Sequence, residues 1–289
     1  MRKVLIVFVF FLLTNSSHAQ FQVGIFGGVA NYQGDLVDQA FQSPRGAVGF
    51  TVNYEASGRL SLRGGFTYAK LAGADSLSKK ADLRLRNLSF QTAISELSLV
   101  GEFNTLNLDE RRWSPYVFAG LAVFHFNPYA YDRTGRKVFL RPLSTEGQDL
   151  SGYPDSKSYS LTQLAIPFGG GIKLNVNDRV RIALELGMRK LFTDYLDDVS
   201  GNYADPNDLL AAKGPQSVDL SYRGDEAPGG NLNYPLKGAQ RGSPKYKDFY
   251  YITGLHLIYR LPGSTNSLRE NSYSGKLPKK GRYGCPTVF

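Results

Sequence analysis

Long segments in which apolar and polar residues alternate constrain this chain more than any other feature of its sequence. In residues 60–69 every second position is Leu, Phe, Tyr or Gly, and the positions between them hold Arg63 and small or polar residues. In residues 180–189 five hydrophobic residues alternate with a set that includes Arg181, Glu185 and Arg189. Because successive side chains of a strand point to opposite faces, each segment is predicted to be a strand with one apolar and one polar face.

The alternation by itself leaves open which face of these strands points outward. A soluble barrel keeps its charged residues outside, whereas a membrane barrel turns its apolar residues to the lipid and its polar residues inward. The segments run about 10 to 14 residues, enough for a tilted strand to cross a membrane, against ~5 to 6 for an average globular strand. Their length favours an all-β fold, an eight-stranded antiparallel outer-membrane β-barrel with long extracellular loops.

The N-terminus has the three zones of a secretory signal peptide. Arg2 and Lys3 precede ten unbroken apolar residues, and the polar stretch after them ends at Ala19. We predict that residues 1–19 are a signal peptide cleaved after Ala19. An uncleaved membrane anchor is disfavoured because the apolar run is half of the ~20 residues that a spanning helix needs. Gln20 stands where a lipidated cysteine would be, so no lipid anchor is expected.

Eight strands are predicted along the mature chain, joined by connections that alternate between short and long. The strands lie near residues 22–31, 46–56, 59–70, 93–104, 114–126, 162–175, 179–192 and 248–261. The short turns lie at 57–58, 106–112 and 176–178, and the long connections at 32–45, 71–92, 127–161 and 193–247. Short periplasmic turns and long outer loops are typical of outer-membrane barrels, so both chain ends are predicted to be periplasmic. The predicted domains are the signal peptide, the barrel at 20–262 and a periplasmic tail at 263–289.

Two local features refine this prediction. Asp205 as N-cap, Pro206 in the first turn and Gly214 as the end predict a short helix inside the last long connection. Aromatic residues crowd the strand ends and are predicted to form girdles at the lipid headgroups. These residues are Tyr54, Tyr68, Phe103, Trp113, Tyr116, Phe126, Phe249, Tyr250, Tyr251 and Tyr259.

Charged residues fall on the polar face of several predicted strands. The interior of an eight-stranded barrel is filled by side chains, so these charges predict a packed ion-pair network in the lumen and not a general porin channel. They are Arg63, Glu96, Glu102, Lys173, Arg181, Glu185, Arg189 and Arg260.

Residues for catalysis are few in the mature chain. His125 and His256 lie in predicted strands and could join Glu102 or Glu185 as a general base, but a strand histidine is more often a polar filler. Nucleophile-elbow, zinc-protease and phosphate-binding motifs are missing from the sequence. The protein is therefore predicted not to be an enzyme and to use no cofactor, metal or small-molecule substrate.

Two further motifs receive a structural interpretation. Residues 169–171 are three consecutive glycines inside a predicted strand, where glycine permits close packing or sharp curvature. Asp194, Asp197 and Asp198 offer oxygen ligands, but they lack the spacing of a known calcium loop. We predict that this acidic run is a solvated strand exit.

Composition excludes several classes of protein. The chain has 34 Lys and Arg against 25 Asp and Glu, 42% hydrophobic residues and one cysteine. These values exclude a disordered tail, a coiled coil and a disulfide scaffold. The net charge of +9 is spread along the chain without a basic cluster interleaved with aromatics, so no nucleic-acid partner is expected.

The tail from residue 263 departs from the barrel pattern. It is basic and rich in Ser, Asn, Gly and Pro, so it cannot bury a core alone and is either disordered or ordered by a partner. It ends in apolar and aromatic residues around Cys285, which favours a partner. A single cysteine cannot pair internally, which leaves either a covered, reduced thiol or an intermolecular disulfide.

An ordered series of short motifs carries a family resemblance across the mature chain. They are VGIFGG at 23–28, NYQGDL at 31–36, RNLSF at 86–90, PYVFAG at 115–120, FHFNP at 124–128, TEGQ at 145–148, LAIPFGGG at 164–171, TDYLDDVS at 193–200, RG at 241–242 and CP at 285–286. In these motifs the chain resembles the PorG family, the small outer-membrane barrel of the type IX secretion system of Bacteroidetes.

The resemblance implies a structural role. Members of this family look like membrane anchors of a periplasmic ring, built from a lipoprotein and a partner subunit, that serves protein export and, in some species, gliding motility. Cys285 would then link covalently to a cysteine of that ring. Two alternatives stay open. A small barrel of the OmpA or OmpW kind could be a narrow transporter, or an adhesin that acts through residues 192–247.

Overall fold

Long antiparallel strands form a closed barrel in the computed structural model, which describes residues 20–262 without 155 and 246. The ten strands are β1 (Gln20–Gln33), β2 (Arg45–Glu55), β3 (Leu60–Ala74), β4 (Ser89–Asn104), β5 (Trp113–His125), β6 (Tyr129–Tyr131), β7 (Lys137–Phe139), β8 (Thr162–Asn175), β9 (Val180–Leu191) and β10 (Phe249–Arg260). The wall runs β1, β2, β3, β4, β5, β8, β9 and β10, and β10 pairs with β1 to close it. The predicted eight-stranded antiparallel barrel is confirmed. The predicted signal peptide and tail, with Cys285, lie outside the described residues.

The two ends of the barrel differ. Turns 56–59, 105–112 and 176–179 lie at one end, the short-turn end, where β1 begins beside the end of β2 and of β10. The four long connections lie at the other, the long-loop end. β3 and β4 extend further toward that end than predicted, with pairing that continues to Ala74 and Ser89. The reason is that Leu71 and Phe90 prolong the alternation and are buried.

The α-helices of the described chain occur only in the long connections. They are α1 (Ala81–Arg86), α2 (Pro206–Lys213) and α3 (Pro215–Ser221). The prediction of α2 is confirmed: the Asp205 side chain accepts a hydrogen bond from the Asn207 amide at 2.8 Å. Gly214 ends α2, but α3 begins at the next residue, which the sequence did not predict. Among the described residues, none of these helices is long and apolar enough to cross a membrane.

The apolar faces of the strands point outward. Leu97 and Leu121 are 65% and 68% exposed, and Leu62, Phe66 and Leu184 are exposed as well. A water-soluble barrel would not leave such a continuous apolar surface wet, whereas an outer-membrane barrel turns it to lipid. This apolar belt settles the orientation that alternation left open, and the molecule is a barrel of the outer membrane.

The predicted aromatic girdle is only partly correct. Trp113, Tyr68 and Tyr259 are exposed on the outer face. Four other predicted members are buried: Tyr116, Phe126, Tyr250 and Tyr251. Tyr116 and Tyr250 occupy inward positions of their strands, and Phe126 follows the end of β5 and stacks on Tyr159. Position near a strand end does not fix the face on which a residue lies.

The three glycines 169–171 lie inside β8, as predicted. A Cβ atom on Gly171 would lie 2.1 Å from the backbone oxygen of Leu184 on β9. Such a distance is shorter than any tolerated contact, so the two strands would have to separate. Residue 171 has to be glycine because the backbone of β9 occupies the space of a side chain.

We expect Gly171→Ala to lower the free energy of unfolding by about 1 to 3 kcal/mol, the usual cost of overpacking. The measurement is urea-induced unfolding of the refolded barrel in detergent micelles. Gly27→Ala is the matched control, because a Cβ atom at Gly27 meets nothing within 4 Å. Equal midpoints for the two variants would contradict the close approach of β8 and β9.

Candidate functional site

Charged side chains fill the barrel lumen in three layers. All eight predicted lumen residues point inward, and seven of them are buried, while Arg260 is half-buried at the short-turn end. From the short-turn end upward, the lower layer holds Glu55, Arg181 and Arg260, the middle layer Arg63, Glu102, Lys173 and Glu185, and the upper layer Glu96 and Arg189.

The middle layer is the most connected of the three. The Arg63 guanidinium donates to both carboxylate oxygens of Glu185, at 2.6 and 3.2 Å, and lies 3.0 Å from Glu102. Lys173 forms an ion pair with Glu102. The Tyr116 hydroxyl donates to Glu185 at 2.6 Å. Two bases and two acids balance, so the charge of this layer is neutral without outside ions.

The lower layer contains an acid that the sequence analysis missed. Arg181 donates to both oxygens of Glu55, at 3.0 and 3.1 Å, and Arg260 approaches the same carboxylate at 3.5 Å. Glu55 is the last residue of β2 and continues the polar face of Thr51 and Asn53. The alternation could have found it, because it stands two positions after Asn53 on the same face.

The upper layer closes the charged part of the lumen. Arg189 donates to both oxygens of Glu96 at 3.2 Å, and the Tyr250 hydroxyl donates to Glu96 at 2.5 Å. Above this layer, apolar side chains that include Ile94 and Leu191 take over. Each buried carboxylate of the lumen thus has a cationic partner, as burial of charge requires.

The two histidines lie on opposite faces of the wall. His125 is on the outer face, with Nδ1 3.0 Å from the Thr162 hydroxyl. His256 is buried in the lumen, where Nε2 is 3.5 Å from Glu185 and the ring packs against Phe26. Only His256 lies near either acid considered for a general base. That acid already accepts hydrogen bonds from an arginine and a tyrosine, which leaves it poorly placed to activate the imidazole.

The long connections pack over the barrel mouth. We call the connections 34–44, 75–88, 126–161 and 192–248 the dome. Their buried apolar residues form one cluster with the top of the lumen, and this cluster includes Leu36, Leu88, Phe126, Leu196, Val199 and Leu220. The dome is therefore a second packed layer and not a set of separate loops.

Arg241 joins three parts of the dome. Its guanidinium donates to Glu146 at 2.9 Å, to the backbone oxygen of Asp198 at 2.6 Å and to that of Ser221 at 3.1 Å. Glu146 in turn accepts hydrogen bonds from the backbone amides of residues 200 and 201. Both side chains of this ion pair are only 2% exposed. Arg241 thus ties the connection after β7 to that after β9.

The prediction that Asp194, Asp197 and Asp198 form a solvated strand exit is wrong. All three are buried inside the dome. Asp198 accepts hydrogen bonds from the Thr145 and Tyr159 hydroxyls, both at 2.6 Å. Burial raises the pKa of Asp194 and of Asp198 to about 6. The chain turns inward after β9 because Leu196 and Val199 pack into the apolar cluster and carry the acids with them.

A cleft of about 680 Å³ opens on the dome. Its lining includes Asp35, Lys80, Leu85, Arg86 and Tyr203. Arg86 donates to both oxygens of Asp75 at 2.7 Å, so its charge is already neutralised. Among the described residues, no group of three or more His, Cys, Asp and Glu side chains is arranged to hold a metal ion.

Comparison with solved structures finds small surface barrels at low sequence identity. Neisserial surface protein A is 11% identical with a TM-score of 0.43, and 84% of this chain and 99% of that chain are covered. The attachment invasion locus protein Ail of Yersinia pestis is 9% identical with a TM-score of 0.41, at 84% and 99% coverage. The outer membrane protein OprG of Pseudomonas aeruginosa is 10% identical with a TM-score of 0.40, at 84% and 98%.

Comparison of the sequence itself gives a family. No match was found among curated proteins. A family model described as a domain of unknown function, DUF6089, matches residues 2–211, which is more than half of the 289-residue chain. Because of this match, the chain, a capped and charge-filled outer-membrane barrel, belongs to the DUF6089 family.

Proposed function

We propose that this protein is a non-enzymatic outer-membrane barrel of a type IX secretion system that anchors the periplasmic ring complex. The observation that carries the proposal is the state of the lumen. Three layers of paired charge fill it, and the apolar cluster under the dome covers its long-loop end. Because the lumen is filled, we expect the protein to act through its outer surfaces. The PorG resemblance supplies the ring, a lipoprotein with its partner subunit, as the partner.

The short-turn end is the surface that would meet this ring. The described chain begins and ends there, so the tail from residue 263 starts at the same end. Exposed arginines outnumber exposed acids on the turns of this end: Arg59, Arg111, Arg112 and Arg179 stand against Glu110 and Asp178. We assign this end to the periplasm, where these cations would attract an acidic partner surface and the tail would reach the ring.

Affinity purification from gently solubilised membranes tests this proposal. We expect the full chain to retain the ring lipoprotein and its partner subunit, and a variant that lacks residues 263–289 to lose them and to stop secretion. Heat-modifiable gel migration shows that the truncated barrel still folds. On a non-reducing gel, a higher-mass band that disappears in Cys285→Ser would place the disulfide in the link.

Two outcomes would contradict the proposal. One is a folded full-length barrel that purifies without ring proteins. The other is secretion that continues when the gene is deleted. If secretion depends on the protein but Cys285→Ser behaves as wild type, the anchor is non-covalent.

An adhesin is the second candidate, and two features of the dome favour it. The cleft is large enough for a small ligand. Leu232 and Leu236, in the β9–β10 connection, are 81% and 84% exposed. Deletion of residues 230–238 would abolish surface attachment and leave secretion intact if the protein is an adhesin. Swelling of liposomes that contain the barrel would instead favour a transporter.

A further inference from the structure

One tyrosine hydroxyl in the dome faces two buried carboxyl groups. Tyr32 lies near the end of β1, Asp197 in the β9–β10 connection and Asp248 just before β10, and all three are buried. The Tyr32 hydroxyl oxygen is 2.6 Å from Asp197 Oδ2 and 2.8 Å from Asp248 Oδ1. The distances are those of two hydrogen bonds.

A count of protons shows that the hydroxyl cannot satisfy both acids if both are ionised. A tyrosine hydroxyl has one proton to donate, whereas an ionised carboxylate can only accept. The second short contact therefore needs a second proton, carried by one of the two carboxyl groups and donated to the tyrosine oxygen.

The position of this proton follows from the other oxygens. Asp197 Oδ1 accepts the backbone amide of Val199 at 2.9 Å, and Asp248 Oδ2 accepts the backbone amide of Leu196 at 2.9 Å. Both outer oxygens are thus engaged as acceptors. The extra proton lies on an inner oxygen, between an aspartate and Tyr32.

The surroundings of this cluster favour the neutral form. Asp35, from the β1–β2 connection, and Asp194, from the β9–β10 connection, are the further charges that act on the two acids, and both are acidic. Three basic groups from the elements around the cluster have other partners: Arg86 pairs with Asp75, Arg241 with Glu146, and exposed Lys247 approaches the Pro244 oxygen. Burial raises the pKa of both Asp197 and Asp248 well above the ordinary value.

Two neighbouring segments pack directly against the Tyr32 side chain. The Phe90 ring from β4 packs edge-on against the Tyr32 ring at 4.8 Å. A Cβ atom on Gly34 would lie 1.9 Å from the Tyr32 hydroxyl oxygen, so the backbone of the β1–β2 connection covers the site.

We propose that Asp197, Tyr32 and Asp248 share one additional proton at neutral pH, and that this proton latch holds the β9–β10 connection on the barrel mouth. The latch joins β1, the start of that connection and its end. It is independent of the secretion role proposed above, because it concerns closure of the dome in any setting.

The sign of the pH dependence follows from proton binding. In an open dome the two acids are hydrated and lose their protons above about pH 4. In the closed dome one acid keeps its proton, so closure binds a proton. The ratio of closed to open dome then falls about tenfold per pH unit until the pH passes the pKa of the closed state, and it levels off above that value. Asp194 and Asp198 act in the same direction, but only up to about pH 6.

The test uses the full chain in detergent micelles. The pH values are kept above about 6, the pKa of Asp194 and of Asp198. Hydrogen exchange at the amides of Leu196 and Val199, corrected for intrinsic exchange, gives the opening constant at several pH values. We expect it to rise about tenfold per pH unit above about pH 6.5 and then to level off. Infrared spectra at neutral pH should contain the carbonyl band of a protonated carboxyl group.

Asn replaces a protonated carboxyl with a neutral amide of the same shape. Asp197→Asn and Asp248→Asn should each remove both the pH slope and the infrared band. Asp208→Asn is the matched control. Asp208 accepts a hydrogen bond from the Tyr153 hydroxyl at 2.8 Å. One carboxylate here faces one hydroxyl, so no extra proton is needed. That variant should keep the slope and the band.

The wild-type spectrum alone can overturn the proposal. If it has no protonated-carboxyl band at neutral pH, the latch does not exist, even where the Asn variants fail to close their domes. A slope that persists in both Asn variants would equally contradict it.

Discussion

Replacement of Arg63 by alanine is expected to lower the free energy of unfolding of the barrel by about 3 to 5 kcal/mol, the range for breaking a buried ion pair. Arg63 is the shared partner of Glu102 and Glu185. Its guanidinium also lies over the Phe118 ring at 4.9 Å. Without it, Lys173 alone faces two buried carboxylates. Urea-induced unfolding in detergent micelles, followed by tryptophan fluorescence and gel migration, gives the change.

Three comparisons make this result specific to charge. Arg63→Ala combined with Glu185→Gln removes one orphaned charge and should recover part of the loss. Arg189→Ala leaves one carboxylate, Glu96, which keeps its hydrogen bond from Tyr250, so its effect should be at the lower end of the range. Arg59→Ala changes an exposed arginine at a turn and should leave the midpoint unchanged. Equal stability of Arg63→Ala and wild type would show that the lumen does not depend on its ion pairs.

Replacement of Arg241 by alanine is expected to open the dome while the barrel stays folded. The variant leaves the backbone oxygens of Asp198 and Ser221 buried without this donor, and it leaves the Glu146 carboxylate buried without a cation, held by the backbone amides of residues 200 and 201. Loss of a buried ion-pair partner costs about 3 to 5 kcal/mol, which is enough to shift a local opening equilibrium by more than a hundredfold. Hydrogen exchange of residues 198–201 and 217–221 should accelerate accordingly.

The control for Arg241 lies in the same connection. Lys237 pairs with Asp208 at 3.4 Å, and both side chains are half-exposed, so Lys237→Ala should leave exchange in the dome unchanged. Heat-modifiable migration should be the same for both variants and wild type. Loss of that migration in Arg241→Ala would show that dome and barrel form one cooperative unit, contrary to this prediction.

The strands and their faces could be read from the sequence because a strand's two-residue period is a local property of the backbone. Alternation placed Arg63 and Glu185 on the inner face, and the structure points both into the lumen. Once length and secretion favoured a membrane barrel, the polar face had to be inside. The signals that predict helix α2 are equally local, because its N-cap residue and the glycine that ends it are its neighbours in the chain.

Only the tertiary structure decided which charges meet. Arg63 and Glu185 are 122 positions apart, and Glu55 and Arg181 are 126 apart. Whether such residues lie at the same height depends on the stagger of all strands around the closed barrel, which no segment of the sequence specifies alone. The inward positions of Tyr116 and Tyr250, by contrast, follow from the alternation of β5 and β10, and their assignment to the girdle was wrong because it rested on position near a strand end and not on the face.

The dome is where the sequence determined least. Its connections have no period, so nothing local distinguishes a buried Asp197 from a solvated one. Burial there arises when four connections pack on one another and on the barrel mouth, and it brings Asp197 and Asp248, 51 positions apart in the chain, to the two sides of one tyrosine hydroxyl. The sequence thus determined by itself the barrel and the contents of its lumen, through a period that each strand carries. The tertiary structure alone decided the pairing of charges and the buried acids of the dome, because both depend on contacts between segments far apart in the chain.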